Sequence, residues 1–301
     1  MNGICENSLY SICRCKNGYH LPIASPLYDG HCHVDLFFRY GLDKNNFNAY
    51  VSNGRKIILI DNRHQYYRWF IDYELKHPNV TIYTTFGIHP KYLPTHIDDV
   101  FKKLEVIFKN NFNNTMINVG IGECGLDETS NYAFELQLIV FRKQLKLAFE
   151  LNLPIVLHGR GNDAFNLMFH ELTLHLSSTH KIHWHCVNQR SNLDIITRFL
   201  NHFKHSYIGI NCSIFGQDDM ESQNIFYKWL LSFENILSRI IIETGYPFLK
   251  PSILQYTQYN PISGIICTAQ QLVNILRKKN INATKIIDQS NKNIQEMYRV
   301  N

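Results

Sequence analysis

Short apolar runs recur along the chain, and longer segments with helical periodicity separate them. The runs are "PLYDGHCH", "KIILIDN", "TIYTTFGIHP", "MINVGIGECGLD", "PIVLHGR", "KIHWHC", "YIGINC" and "RIIIETGYP". Strands that are apolar throughout and alternate with helices indicate a parallel sheet that is covered on both faces. Eight such units in a chain of 301 residues predict an α/β fold, a closed (β/α)8 barrel.

The composition is that of a globular protein with a large core, at 45% hydrophobic and 18% charged residues. Residues 27–301 are predicted to form the barrel domain, and residues 1–26 are predicted to form a solvated N-terminal extension, either ordered or disordered. No run approaches the roughly 18 apolar residues that a membrane span requires, and the N-terminus lacks the apolar core of a signal peptide. We therefore expect an intracellular protein of the cytoplasm or nucleus, with no membrane association.

The charge balance is mildly basic. Lys and Arg together number 30 against 25 Asp and Glu, which gives a net charge of +5. This excess permits a nucleic-acid partner without requiring one. Nothing in the charge pattern predicts an obligate protein partner.

The eight cysteines fall into two groups. Five lie singly in apolar runs and are predicted to be reduced core residues, as in reducing compartments: Cys32, Cys124, Cys186, Cys212 and Cys267. The other three cluster near the N-terminus with a spacing that matches no common zinc pattern: Cys5, Cys13 and Cys15. A solvated extension is the favoured interpretation of that cluster.

Polar residues that can bind metal or phosphate follow most of the predicted strands. Because the carboxyl ends of barrel strands carry the active site in such enzymes, these residues predict a catalytic centre. They are Asp29, His31, His33, His89, Glu123, Asp127, His158, Arg160, His183, His185 and Glu243.

The motif "DGHCHVD" places His31 and His33 two residues apart, so that on a strand both rings point the same way and can hold one ion. Glu123 in "GIGECGLD" lies among glycines that allow a close backbone approach, and it could bridge two metal ions. The alternative for "DGHCHVD" is that His31 and His33 are two surface histidines. The alternative for "GIGECGLD" is a tight strand-to-helix turn with Glu123 at its rim.

The next two strands add further candidates. In "PIVLHGRG", His158 suits a metal, and Arg160 suits two oxygens of a phosphate. In "KIHWHC", His183 and His185 share a face while Trp184 points away into packing. Only one of these two histidines is required as a ligand, and the other could be structural.

Taken together, the ordered motifs "DGHCH", "FGIHP", "VGIGECGLD", "QLKLAFELNLPIVLHGR", "IHWHC", "YIGINC" and "IIIETGYP" resemble the TatD family of metal-dependent deoxyribonucleases, in the amidohydrolase superfamily. The resemblance covers about residues 27 to 300. It implies a TIM barrel that hydrolyses phosphodiester bonds of DNA, single-stranded or nicked, with exonuclease action as the expectation. The implied cofactor is one or two divalent metal ions, magnesium, manganese or zinc.

The resemblance also assigns roles to individual residues. The metal ligands that it implies are His31, His33, Glu123, His158 and His185, and it matches Arg160 to the family's arginine after the fifth strand. Arg160 and His89 are accordingly expected to bind substrate, and Glu123 and Glu243 to be catalytic.

One position departs from the family motif. The eighth strand is expected to end in Glu-Thr-Asp-x-Pro, whereas this chain has Glu243, Thr244, Gly245, Tyr246 and Pro247. The missing aspartate would be both a metal ligand and an acceptor of the proton from the attacking water. Glu243 is the candidate to replace it as base. Two alternatives to the nuclease remain: a catalytically degenerate barrel that acts as a binding protein, and an amidohydrolase-type enzyme for a small ester or amide.

Overall fold

The computed structural model describes residues 26–42, 47, 51, 56–109, 117–212, 219–250, 259–276 and 281–301. Residues 1–25, which make up nearly all of the predicted extension and carry Cys5, Cys13 and Cys15, lie outside the described residues. No helix in the described ranges is long and apolar enough to cross a membrane.

The predicted alternation of strands and helices is confirmed. The strands are β1 Leu27–Cys32, β2 Ile57–Arg63, β3 Val80–Phe86, β4 Ile117–Asp127, β5 Ile155–Arg160, β6 Ile182–Trp184, β7 Ser206–Ile210 and β8 Ile240–Ile242. The helices of the described part are α1 Ile97–Lys109, α2 Phe134–Leu151, α3 Asn162–His175, α4 Leu193–His202, α5 Met220–Ser232, α6 Pro261–Leu276 and α7 Ala283–Tyr298.

The eight strands form one sheet in which they follow each other in sequence order, β1 to β8. Register is resolved for the pairs from β3 to β7, all of which are parallel. Eight strands in sequence order, with an α-helix after each strand from β3 onward, define a (β/α)8 TIM barrel. The predicted fold class is therefore confirmed.

Within this fold the chain groups into two compact units. The first unit comprises the described residues of 1–59, 73–81 and 210–293, and the second comprises 60–72, 82–209 and 294–301. In the first unit β1 and β8 are neighbours: the Gly245 amide donates to the His31 carbonyl at 2.8 Å, and the His33 amide donates to the Tyr246 carbonyl at 2.9 Å. These bonds fix the ends of the two strands against each other.

In the second unit α2 packs on β4, and α3 packs on β4 and β5. Trp184 on β6 is fully buried and stacks on Phe165 of α3 at 5.0 Å between ring centroids, with Phe199 of α4 at 5.1 Å. The prediction that Trp184 points into packing is confirmed. Large aromatic rings of this kind contribute strongly to burial of apolar area.

The cysteine prediction is wrong for one pair. Cys212, just after β7, and Cys267 in α6 form a disulfide across 55 residues of sequence, with their Cα atoms 6.2 Å apart. The sequence reasoning treated each cysteine by its local apolar context, which carries no information about long-range proximity. Cys32, Cys124 and Cys186 are free, as predicted.

A buried carboxylate links α2 to α3. The Arg142 side chain donates two hydrogen bonds to Glu171, at 2.6 and 2.8 Å, and His175 lies 3.3 Å from the same carboxylate. Glu171 is 1% exposed, whereas Arg142 is about half-exposed. The hydrogen bonds from Arg142 lower the pKa of Glu171 below its ordinary value of 4.5.

We expect Arg142→Ala to lower the free energy of unfolding near neutral pH, because it leaves the Glu171 carboxylate without its two hydrogen bonds. Because the folded-state pKa of Glu171 lies below its unfolded value, this contribution is present above pH 4.5 and is lost as pH falls through the folded-state pKa. Urea unfolding near neutral pH and at about pH 3 measures both effects. Lys109→Ala, which breaks an exposed pair with Glu105, is the control and should change little. A variant difference that grows as pH falls would contradict this assignment.

Candidate active site and metal centre

Two carboxylates of β4 lie at the centre of the second unit. Glu123 is 3% exposed and Asp127 is fully buried, and the parallel register places Asp127 opposite Arg160 of β5. A Cβ at Gly125, where φ is +148°, would collide with the carbonyl of His158. The glycine therefore allows β4 to approach β5 closely enough for its carboxylates to reach the His158 ring.

His158 bridges the two carboxylates. Its Nδ1 lies 2.9 Å from Glu123 Oε1, and its Nε2 lies 3.0 Å from Asp127 Oδ2. Burial lowers the pKa of His158, but the hydrogen bonds to Asp127 and Glu123 outweigh burial and raise the pKa to about 9. Burial alone would raise the pKa of Asp127. The hydrogen bonds from His158 and from the Thr129 hydroxyl and amide outweigh burial and lower this pKa. The surroundings of His158 thus favour a positive charge.

Three more histidines surround Glu123. His64 Nδ1 lies 3.8 Å from Glu123 Oε2, while His89 Nε2 and His185 Nε2 lie 3.6 and 3.7 Å from Oε1. All four residues are less than 10% exposed. A carboxylate enclosed by imidazoles in this way is a common metal-binding arrangement.

The hydrogen bonds of His89 distinguish it from a ligand. The Lys91 backbone amide donates to His89 Nδ1 at 3.0 Å, so in the neutral ring the proton is on Nε2. Burial, followed by repulsion from His158, lowers the pKa of His89 well below its ordinary value. A neutral ring with its proton on Nε2 donates a hydrogen bond rather than binding a metal. The substrate-binding role of His89 stays a prediction.

The donor set fits a divalent cation. His89, Glu123 and His158 each offer a ligand atom, and these atoms lie within 4.8 Å of one another. Asp127 holds Nε2 of His158, which leaves Nδ1 directed at Glu123. A carboxylate that orients a ligating imidazole is the usual second layer of such centres. His185 Nε2 also faces Glu123, at 3.7 Å from Oε1, so His158 and His185 are the ligand candidates beside Glu123 in this unit once His89 is assigned as a hydrogen-bond donor.

Two cationic side chains flank this cluster. Lys91 Nζ lies 3.3 Å from Asp127 Oδ2, and Lys91 is about one third exposed. Arg160, at the end of β5, is exposed to solvent. An exposed guanidinium at the end of a barrel strand is available to a phosphate oxygen.

The first unit contains the other predicted residues. Asp29 is fully buried and accepts hydrogen bonds from the Thr244 amide and hydroxyl at 3.0 and 2.5 Å. Burial raises the pKa of Asp29 to about 7. His31 and His33 are both buried, with ring centroids 5.0 Å apart. The two hydrogen bonds from Thr244 make Asp29 a structural link between β1 and the end of β8.

Glu243 directly follows β8 and is fully buried. Asn211 Nδ2 donates to Glu243 Oε1 at 3.2 Å. A buried carboxylate at the end of an apolar strand requires a polar partner, and Asn211 at the end of β7 provides one for Glu243.

Gly245 adopts a left-handed conformation, with φ of +59°. A Cβ at this position would collide with the side chain of Leu249. Both features suit glycine, because other residues rarely adopt this φ and none has room for its Cβ here. The departure from the family motif is thus matched by the local backbone.

Two features of the site were missed by the sequence reasoning. His64 follows β2 directly in "IILIDNRH", yet β2, like β7, was given no candidate. The sequence signal that could have identified His64 is the polar run that directly follows the apolar strand. Asp127 was noted only by its position, and its bond to His158 becomes visible only with the register of β4 and β5. Of the histidine pair in "KIHWHC", His183 Nδ1 lies 2.8 Å from the Tyr298 hydroxyl on α7, and the choice of His185 as the ligand stays a prediction.

Comparison with known proteins gives one family across nearly the whole chain. The model of the family "TatD related DNase" matches residues 28–299. An uncharacterized metal-dependent hydrolase of Methanocaldococcus jannaschii is 32% identical over 155 residues, 47% of this chain and 57% of the relative. The 3'-5' ssDNA/RNA exonuclease TatD of Yersinia pseudotuberculosis is 29% identical over 170 residues, 56% of this chain and 59% of the relative. The matches to these curated relatives thus span less than two thirds of their lengths.

A solved structure has the same fold. The TatD homologue YjjV of Escherichia coli superposes with a TM-score of 0.66 at 20% identity, over 91% of this chain and 98% of the homologue.

Proposed function

Because the chain belongs to the family of TatD-related DNases, we propose that it is a metal-dependent hydrolase that releases nucleotides from single-stranded DNA. The observation that carries this proposal is the enclosure of Glu123 by His64, His89, His158 and His185, with His158 oriented by Asp127. A buried carboxylate among imidazoles supplies the ligand types that a divalent cation binds in catalytic centres.

Each residue has a defined task in this proposal. Glu123, His158 and His185 hold the ion, and the motif resemblance adds His31 and His33 as ligands by sequence alone. When bound, a divalent ion supplies charge for the phosphate and lowers the pKa of water. Asp127 accepts a hydrogen bond from Nε2 of His158 and so orients the ring with Nδ1 toward Glu123.

The substrate is held by groups around this cluster. Arg160 binds two oxygens of the phosphate. His89 donates from Nε2 to a phosphate oxygen, since its Nδ1 already accepts from Lys91. Glu243 is the carboxylate that we propose as proton acceptor, because position 245 provides none.

Nucleic acid is the substrate class for two reasons. The exposed Arg160 and the net charge of +5 suit a polyanion better than a neutral ester. The name of the Yersinia relative specifies an exonuclease of single-stranded DNA and RNA, which supports a nuclease in this family. A second candidate, a binding protein without turnover, is favoured by Gly245 alone.

The choice of substrate class is tested with two model compounds. We expect the purified protein with manganese to hydrolyse bis(p-nitrophenyl) phosphate and to leave p-nitrophenyl acetate near its background rate, because Arg160 and His89 recognise phosphate oxygens. Release of nitrophenolate is measured with manganese and with EDTA. Faster turnover of the acetate would identify the small-ester alternative, and turnover of neither would favour the binding protein.

A further inference from the structure

The segment after β2 exposes a group of large apolar side chains. Tyr67 is 60% exposed, Phe70 54% and Ile71 39%. Their neighbour Trp69 is 1% exposed and packs against Phe86 of β3. The segment therefore has one anchoring residue and several rings that face solvent, a pattern typical of binding surfaces.

Arg63 fixes the backbone of this segment through hydrogen bonds. Its guanidinium is buried, and Nη1 donates to the carbonyls of Arg68, Trp69 and Ile71 at 3.1, 3.1 and 2.5 Å. Asp61 Oδ2 accepts from Arg63 Nε at 3.0 Å and balances the charge.

Trp69 adds a further bond to this anchor, since its Nε1 donates to the Arg63 carbonyl at 2.8 Å. A loop fixed by so many bonds presents its side chains with little loss of entropy on binding.

The exposed ring of Tyr67 continues toward the candidate site. Its centroid lies 6.4 Å from that of Tyr92, which is half-buried. The Tyr92 ring in turn lies 5.5 Å from His64 and 5.7 Å from His89. The rings thus form a continuous path from the Glu123 cluster to solvent, within the second unit.

We propose that Tyr67 and Tyr92, the Tyr67 platform, stack a nucleobase of the substrate next to the phosphate that is cleaved. The inference rests on the proposed function and specifies how the substrate is recognised. Stacking on aromatic side chains is the usual way in which single strands are held without sequence readout, because every base has a π-face. In a duplex the bases are already stacked on one another, so the platform selects single-stranded ends.

Steady-state kinetics on two oligonucleotides of equal length test the platform. One is oligodeoxythymidine, and the other has the same backbone with every base replaced by an abasic tetrahydrofuran. We expect Tyr67→Ala to lower kcat/KM on the thymidine strand by about tenfold or more, mainly through KM. On the abasic strand the same substitution should change kcat/KM by less than about twofold, since no base is present to stack.

Two variants complete the design. Tyr67→Phe keeps the ring and should retain kcat/KM on both strands. Phe149→Ala removes a ring of 59% exposure from the end of α2 and should change neither strand. Thermal unfolding of each variant checks that the fold is retained, as expected for exposed positions.

The outcomes separate the two proposals. Equal losses on both strands, or no loss on the thymidine strand, with an active wild-type enzyme would overturn the platform alone, and in the second case the exposed rings would belong to a protein interface. No metal-dependent turnover of either strand by the wild-type protein would overturn the nuclease proposal, and the platform with it.

Discussion

Glu123→Gln is expected to lower metal-dependent nucleotide release by about a hundredfold to ten-thousandfold, the range typical of the loss of one positioned acid or base. The substitution keeps the shape of the side chain but removes the negative charge that His158 and three other histidines surround. A neutral amide is a weak partner for a divalent cation. The rate is measured with saturating manganese, so that weaker binding and slower chemistry are distinguished.

Calorimetric titration of manganese into wild-type and Glu123→Gln protein measures the first of these effects. We expect metal affinity to fall at least tenfold, as it does when supporting groups of such centres are removed. Glu135→Gln, an exposed carboxylate of α2, is the matched control and should bind as the wild type does. Unchanged affinity in Glu123→Gln would show that Glu123 is not a ligand.

Gly245→Asp is expected to raise turnover, by about a hundredfold when the local backbone can accept it. The substitution restores the carboxylate that the family motif carries at the eighth strand. Aspartate tolerates a left-handed φ better than most residues, but its Cβ would collide with Leu249. The single variant should therefore gain less than the double variant Gly245→Asp/Leu249→Ala.

The matched control for this series is Leu249→Ala, which makes room without adding a carboxylate. It should leave turnover unchanged, so any gain in the double variant belongs to the aspartate. Initial rates on single-stranded DNA with manganese compare the four proteins. If the double variant is folded and no faster than the wild type, then a carboxylate at position 245 is not what limits the rate.

The fold was predictable because its signal is local. Each strand is an apolar run, an α-helix follows each strand from β3 onward, and the strand order of a (β/α)8 barrel follows the sequence. The candidate residues were predictable for the same reason, since Glu123 and His158 end apolar runs. Their predicted roles as ligands follow from the motifs and stay proposals.

What the sequence could not predict depends on register and long-range packing. The contact of His158 with Asp127 requires the pairing of Gly125 with His158 across β4 and β5. The disulfide of Cys212 with Cys267 spans 55 residues. Neither relation leaves a trace in local periodicity.

At position 245 the sequence and the structure each supply one part of the explanation. The sequence revealed the missing carboxylate, but the left-handed φ and the contact with Leu249 explain why glycine fits there.

The most direct test of the central claim is nucleotide release from short single-stranded DNA by the wild-type protein, with magnesium or manganese and with EDTA. We expect release that requires the metal and is lost in Glu123→Gln. In this proposal the metal ion supplies positive charge for the phosphate, and Glu123 is one of its ligands. A folded, metal-binding protein that releases no nucleotides would contradict the account and would identify a barrel retained for binding.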